Sequence, residues 1–254
     1  MASEERFGYE WKKYATMDAR YKEQFKNWTG LPPQAWKGKD VLDAGCGMGR
    51  NSYWPLRYGA RSVLAFDNDE QSLASARRTL VEFPNATIER HDLSQLPWQS
   101  EFDIVLCIGV LHHVRRPGLA LENMVRALRK GGQLVVWVYS YEGNEWIVRF
   151  VNPIRKHITS RLPLSLVHAL AYGASVPLYL FAKVFRGPTP YLAQLATFKF
   201  KHIHSIVFDQ LIPTVANYWR RDEVRKLVEA LPLTHVSVER PSNAMGWILT
   251  GTKQ

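Results

Sequence analysis

Three glycines alternate through residues 41–50, VLDAGCGMGR, directly after an apolar run and directly before a stretch of helical composition. Lacking Cβ atoms, Gly45, Gly47 and Gly49 let the chain turn sharply and let a ligand approach the backbone closely. A strand that turns straight into a helix is the opening of a crossover unit. Such units build sheets whose strands run parallel.

From residue 40 onward, strand-like and helix-like segments keep alternating, as a parallel sheet with crossover helices requires. Apolar runs predict strands at 41–43, 62–66, 87–90, 104–109 and 133–139. Helices are predicted at 70–82 and at 119–129, the second stopped by Gly131 and Gly132. Residues 221–230 predict a further helix, and 236–239 with 247–252 a closing antiparallel pair. The class expected is α/β: a doubly wound, mostly parallel sheet with an antiparallel last strand. Ahead of it, Phe7, Trp11, Tyr14, Tyr21, Phe25 and Trp28 predict one or two amphipathic helices before Leu31, Pro32 and Pro33 break the chain. Residues 140–220 far exceed an ordinary strand-to-helix connection, so a largely helical insert is expected there. The organisation expected is a helical lid over 1–39, a core from 40–140 plus 220–254, and a cap over 141–219.

Three carboxylates fall at three successive strand ends, the edge where open α/β sheets bind ligands. Asp43 precedes the first glycine by two residues, Asp67 ends the second strand, and Asp92 follows the third. A carboxylate at Asp67 can accept hydrogen bonds from both hydroxyls of a ribose. A nicotinamide dinucleotide would use the same turn and acid, but its fingerprint is G-x-G-x-x-G, whereas this chain has G-x-G-x-G. Asp43 would also repel a pyrophosphate, while it suits a cation.

These segments resemble the class I S-adenosylmethionine (SAM) dependent methyltransferases, specifically the small-molecule branch that includes ubiquinone and menaquinone biosynthesis enzymes. VLDAGCGMG is similar to the family's first motif, LAFDND to its ribose motif and HDLSQLPW to its adenine motif. FDIVLCIGVLHHV is similar to the fourth-strand motif, and KGGQLVVWV to the segment entering the fifth strand. The resemblance is strong over 40–140 and weaker over 220–254. It implies a Rossmann-like fold with SAM as cofactor. By it, Asp43, Gly45 and Gly47 hold the methionine end, Asp67 the ribose and Asp92 the adenine amino group, with Leu93 packed on the adenine. Cys46, Asn68 and Ile108 are also expected among the cofactor contacts.

Methyl transfer from a sulfonium needs an aligned nucleophile and, for a hydroxyl, a place for its proton. His112 and His113, just after the fourth strand, are the candidate general bases, the alternative being turn caps or cofactor contacts. Trp11 and Tyr14 lie in a segment resembling the lids of such enzymes, although a plain packing helix would read the same way. With them, His202, His204 and Asp209 in the insert are candidate substrate contacts, the alternative being surface or packing roles. A histidine pair at i and i+2 shares a face on a strand and not on a helix.

The insert also carries charge and apolar length. Formal net charge is +10, and residues 141–219 hold eight Lys or Arg against three Asp or Glu. Residues 162–182 contain only His168 as an ionisable side chain and reach the length of a membrane span. Pro163, Gly173 and Pro177 interrupt them, so two short helices are expected. They would form a buried hairpin, an interfacial membrane-touching element or a true span. The two cysteines, Cys46 and Cys107, build no disulfide framework, and neither CxxC nor HxxxH spacing suggests a metal, so no metal is expected. The first residues lack the apolar region of a secretory signal, and a cytoplasmic, partly membrane-associated location is expected.

The function expected is methylation, at oxygen, of a hydrophobic or lipid-linked small molecule that is lipid-like or anionic. One rival is an RNA or protein methyltransferase that uses the basic insert. Against nucleic acid, residues 108–111 read Ile-Gly-Val-Leu rather than Asn-Pro-Pro-aromatic. The other rival is a non-catalytic partner protein of the same fold.

Overall fold

In the computed structural model, residues 6–9, 17, 20–185, 190–241 and 246–254 are described. Trp11 and Tyr14 lie outside them. Seven strands form one sheet in the order β3-β2-β1-β4-β5-β7-β6. They are β1 Asp40–Ala44, β2 Ser62–Asp67, β3 Ala86–Arg90, β4 Phe102–Ile108, β5 Leu128–Tyr139, β6 Leu233–Glu239 and β7 Gly246–Lys253. The first five strands run parallel, and β7 pairs antiparallel with both β5 and β6. The expected sheet is therefore the one observed. The carboxyl ends of β1 to β5 all meet at one edge.

Burial on both faces makes the central strands continuously apolar. Alternate residues divide between two cores. Leu42, Val105, Leu134 and Val136 pack on one side with Leu121, Met124 and Val224. Val41, Val63, Leu106 and Val135 pack on the other with Phe25, Leu56, Leu73 and Ala76. Those partners come from helices α1 Arg20–Thr29, α2 Arg50–Arg57, α3 Glu70–Thr79, α4 Pro117–Ala127 and α9 Arg221–Lys226. Each large apolar side chain buried in this way contributes roughly 1.5–3 kcal/mol. Local chemistry fixes the helix starts. Asp69 accepts the Ser72 N–H at 2.7 Å to cap α3, and Glu223 accepts the Arg220 N–H at 2.6 Å at the start of α9.

The insert leaves and returns side by side. Trp219 donates its N–H to the Tyr139 carbonyl at 3.2 Å, and Tyr141 donates to Trp219 at 2.8 Å. Between them lie α5 Asn152–His157, α6 Leu164–Phe185, α7 Pro190–Thr197 and α8 Phe200–Leu211. Leu164, Val167 and Ala171 of α6 pack on Phe208 and on Ile212 beyond α8.

Several boundaries differ from the sequence reading. The two short helices expected within 162–182 are one continuous helix, α6, running through Pro177. The residue whose carbonyl the proline ring crowds, four positions back, is Gly173, which yields most easily. Packing against α8 holds the rest. Strand β5 begins at Leu128, before Gly131 and Gly132, because Leu128 already pairs with Phe102. Those glycines lie within the strand, and α4 ends earlier, at Ala127. Helix α9 is shorter than expected, ending at Lys226.

Candidate active site

The glycine turn is held by the second strand. Gly45 and Cys46 both donate N–H to the Phe66 carbonyl, at 2.9 and 2.8 Å. Gly45 has φ of 81°, and a Cβ there would stand 2.7 Å from both methyl carbons of Val110. Only glycine fits this position on either count.

Behind the turn, Asp43 is fully buried, and its Oδ2 accepts the Ser52 hydroxyl at 2.6 Å. Among the described residues its Oδ1 has no hydrogen-bond partner. Burial raises its pKa to about 7; Ser52 opposes the shift and the nearby Asp67 adds to it. Asp67 accepts the Gly47 N–H at 2.9 Å on Oδ2 and the Asp69 N–H at 3.0 Å on Oδ1. Burial again dominates, raising its pKa to about 6 against those bonds. One buried carboxylate and one half-buried beside it form a site short of positive charge. Asp92 is exposed, with Oδ1 accepting the Ser94 N–H at 2.7 Å.

A single cavity of about 1570 Å³ begins at this turn. Gly45, Cys46, Gly47, Asp67, Asn68, Asp92, Leu93 and Ile108 all line it. Asp43 does not; it stands one layer back and acts on the crevice through its charge. The cavity continues past His113, Trp137 and Tyr139 to Ala174 and Leu178 of α6 and to Lys199, Lys201 and His202 beside and on α8. Such a volume exceeds the common range for one bound ligand, about 300–1,000 Å³.

The two candidate bases separate. His112 is fully buried, neither ring nitrogen has a hydrogen-bond partner among the described residues, and its ring stacks on Tyr139 at 3.7 Å. Burial holds its pKa well below the ordinary value, and it does not line the cavity. The side chain is a neutral core imidazole. His113 does line the cavity, and its Nδ1 lies 2.8 Å from the Val215 carbonyl. A carbonyl only accepts, so Nδ1 carries the proton and Nε2 the lone pair. Burial lowers its pKa to about 4, with the Val215 bond opposing and Arg155 assisting.

Helix α8 also separates the insert histidines. His202 lines the cavity, 3.1 Å from the Tyr21 hydroxyl. His204 is buried between α6 and α8, with Nδ1 at 2.9 Å from Ser175 Oγ and Nε2 at 3.2 Å from His168 Nε2. The Ser175 hydroxyl donates to Ala171, so this chain is a packed polar relay rather than a substrate contact. Asp209 lines the cavity.

Sequence reasoning missed three features. Trp137 and Tyr139 point to one face at the end of β5, and their i, i+2 spacing was the available signal. Trp28 stacks on Trp137 at 4.8 Å, which no local pattern shows. The segment Arg6 to Tyr9 also straps the site. Arg6 donates to the carbonyls of Thr159, Ser160 and Leu162, at 2.8, 3.2 and 3.4 Å. Phe7 packs on the His113 ring at 4.8 Å, and Gly8 lies so near Asp69 that a Cβ would stand 1.9 Å from its Oδ2.

Residues 42–136 match the profile of the family described as "Methyltransferase domain". By this match they form a methyltransferase domain, and the solved structures named below share its fold. The tRNA U34 carboxymethyltransferase of Idiomarina loihiensis is 31% identical over 139 residues, covering 52% of this chain and 43% of the relative. That of Pseudomonas aeruginosa PAO1 is 35% identical over 133 residues, covering 50% of this chain and 41% of the relative. The chain thus spans less than half the length of these curated relatives. Among solved structures, the 1,6-didemethyltoxoflavin-N1-methyltransferase of Burkholderia thailandensis, with bound 1,6-didemethyltoxoflavin and S-adenosylhomocysteine, has a TM-score of 0.56 at 17% identity. That likeness covers 93% of this chain and 79% of that one. The magnesium protoporphyrin IX methyltransferase of Synechocystis PCC 6803, with bound S-adenosylhomocysteine, has a TM-score of 0.54 at 14% identity, covering 92% and 82%.

The residues present fit the cofactor. Asp67 lines the cavity beside the open glycine turn, and a cationic ligand there would favour its charged form, which burial disfavours.

Proposed function

We propose that the protein methylates a hydrophobic, lipid-linked small molecule at a hydroxyl oxygen, as the small-molecule branch named above does. One observation carries this reading. The cavity runs without a break from the glycine turn, past His113, to apolar side chains of the insert such as Leu178 and Ile206. When bound, SAM supplies a methyl group on a sulfonium, displaced in line to leave S-adenosylhomocysteine. Gly45 and Gly47 let the methionine end approach the backbone, Asp67 accepts the ribose hydroxyls and Asp92 the adenine amino group. Cys46, Asn68, Leu93 and Ile108 complete that wall.

His113 Nε2 accepts the hydroxyl hydrogen of the acceptor. Nε2 would take the proton that the methylated oxygen gives up and release it to solvent. His112 takes no proton; it supports His113 from below, their ring centroids 4.3 Å apart. Lys199 and Lys201 line the insert end of the cavity, suiting an acceptor with an anionic group.

The named relatives favour a second reading, in which the acceptor is RNA. Incubating the full chain with methyl-labelled SAM and a whole-cell extract separates the two. Label in the organic phase supports the lipid-like acceptor. Label confined to RNA overturns it in favour of the second reading.

A further inference from the structure

We propose that helix α6 and the segment before it form a docking surface for an anionic lipid bilayer, which hands a lipid-like acceptor sideways into the cavity. The hand-over rests on the acceptor reading above; the docking does not.

Helix α6 is apolar all round, a composition found only where a helix is enclosed by protein or lipid. Among the described residues, protein encloses one face only. Within its most apolar stretch, 28% of the residues are buried. The buried side is the row Leu164, Val167, Ala171 and Ser175 that faces α8. The opposite side leaves Leu170, Leu180 and Phe181 exposed by 53%, 56% and 44%. A second exposed row precedes it: Phe150, Ile154 and Ile158, spaced by four, are 61%, 48% and 53% exposed.

Charge selects the occupant. Residues 146–208 contain no Asp or Glu and eight Lys or Arg. Arg149, Lys156 and Arg161 are exposed beside this second row, and Lys183 lies in the last turn of α6. Apolar side chains flanked only by cations suit anionic headgroups over acyl chains. An acidic protein or RNA would match the cations, but neither calls for the long exposed apolar rows between them.

The helix lies on the membrane rather than crossing it. At 22 residues it is about 33 Å long, enough to span. Spanning would strip away the α8 face and expose the His168–His204–Ser175 relay to lipid, leaving buried polar groups without partners. Lying flat keeps that face sealed. The same helix lends Ala174 and Leu178 to the cavity wall, so an acceptor in the bilayer has a short lateral path.

Flotation of the full chain with vesicles tests the docking. Vesicles of phosphatidylcholine alone are compared with equal parts phosphatidylcholine and phosphatidylglycerol. The protein should float with the anionic vesicles, less so at high salt. Leu180→Ser/Phe181→Ser should weaken this by about tenfold or more, the factor that 1.4 kcal/mol represents. That variant replaces no cavity-lining residue and should bind SAM as the parent does, showing that the fold is intact. Absence of flotation at every composition overturns the docking, as does flotation unaffected by the double substitution. A dimer in size-exclusion chromatography that the substitution dissociates, with no flotation, assigns the face to a second copy and also overturns it. Flotation without label in the organic phase leaves docking standing and sinks the acceptor reading instead. Methylation of a detergent-dispersed acceptor without flotation does the reverse.

Discussion

His113 donates its Nδ1 proton to the carbonyl of Val215, 2.8 Å away and 102 positions later in the chain. The return segment of the insert thereby fixes the ring and its tautomer, leaving Nε2 as acceptor toward the cavity. An imidazole of ordinary pKa would lose its lone pair as pH falls through 6.5; this one, lowered mainly by burial, does so only near 4. Turnover is therefore expected to stay flat from neutrality down through 6.5 and to fall only as pH nears 4. His113→Ala should lower kcat by about 10²–10⁴-fold at unchanged SAM affinity. His112→Ala should act through stability instead. A kcat profile breaking at 6.5, or equal kinetic loss in both variants, would count against the assignment.

The same shift sets a stability slope. Between 6.5 and about 4, unfolded His113 is protonated while folded His113 is not. The unfolded chain binds more protons there, so His113 makes stability decline as pH falls through this window. In urea melts across this range, His113→Gln should show a shallower decline than the parent. Identical slopes would place the histidine in an ordinary environment.

How far the sequence revealed these features depends on their locality. The glycine turn, strand alternation and three strand-end acids are local patterns, each written within about ten residues, and all appear in the sheet as expected. Residues that meet through the insert were not legible. The Val215 carbonyl is a backbone group with no sequence signature, and Trp28 reaches Trp137 through tertiary packing. Asp43 was expected to touch the cofactor, but β1 buries it under its own turn. Pro177 misled because propensity is weaker than the packing of α6 against α8.

Asp43 and Asp67, raised by burial to about 7 and about 6, bind protons near neutrality that a cationic ligand displaces. SAM affinity should rise as pH increases through 6 to 7 and level off above, with proton release on binding below that plateau. Calorimetry in buffers of different ionisation enthalpy measures this release. Affinity that weakens with rising pH would contradict the sign.

Gly45→Ala places a Cβ 2.7 Å from Val110 and forces φ of 81° on a residue that resists it. The backbone strain alone costs about 1–3 kcal/mol. Thermal melting should record the loss, with SAM binding weakened as well, because Val110 lines the cavity. Parent-like values for both would show that the turn relaxes freely.

Arg6 ties the strap to the insert through three carbonyls, and Phe7 and Gly8 lie over His113 and Asp69. Arg6→Ala should free the strap. Loss of hydrogen bonds to a charged group is worth about 1.5–3 kcal/mol, so SAM should dissociate at least about tenfold faster in stopped-flow tryptophan fluorescence. An unchanged rate would make the strap a passive cover.

Titration of the full chain and of Asp67→Ala with S-adenosylhomocysteine tests the central claim most directly, that the strand-end acids and glycine turn hold this cofactor. The parent should bind one equivalent, with the variant weaker by about 1.5–3 kcal/mol, and neither should bind NADH. Absence of binding by the parent, or equal binding by the variant, would contradict the account.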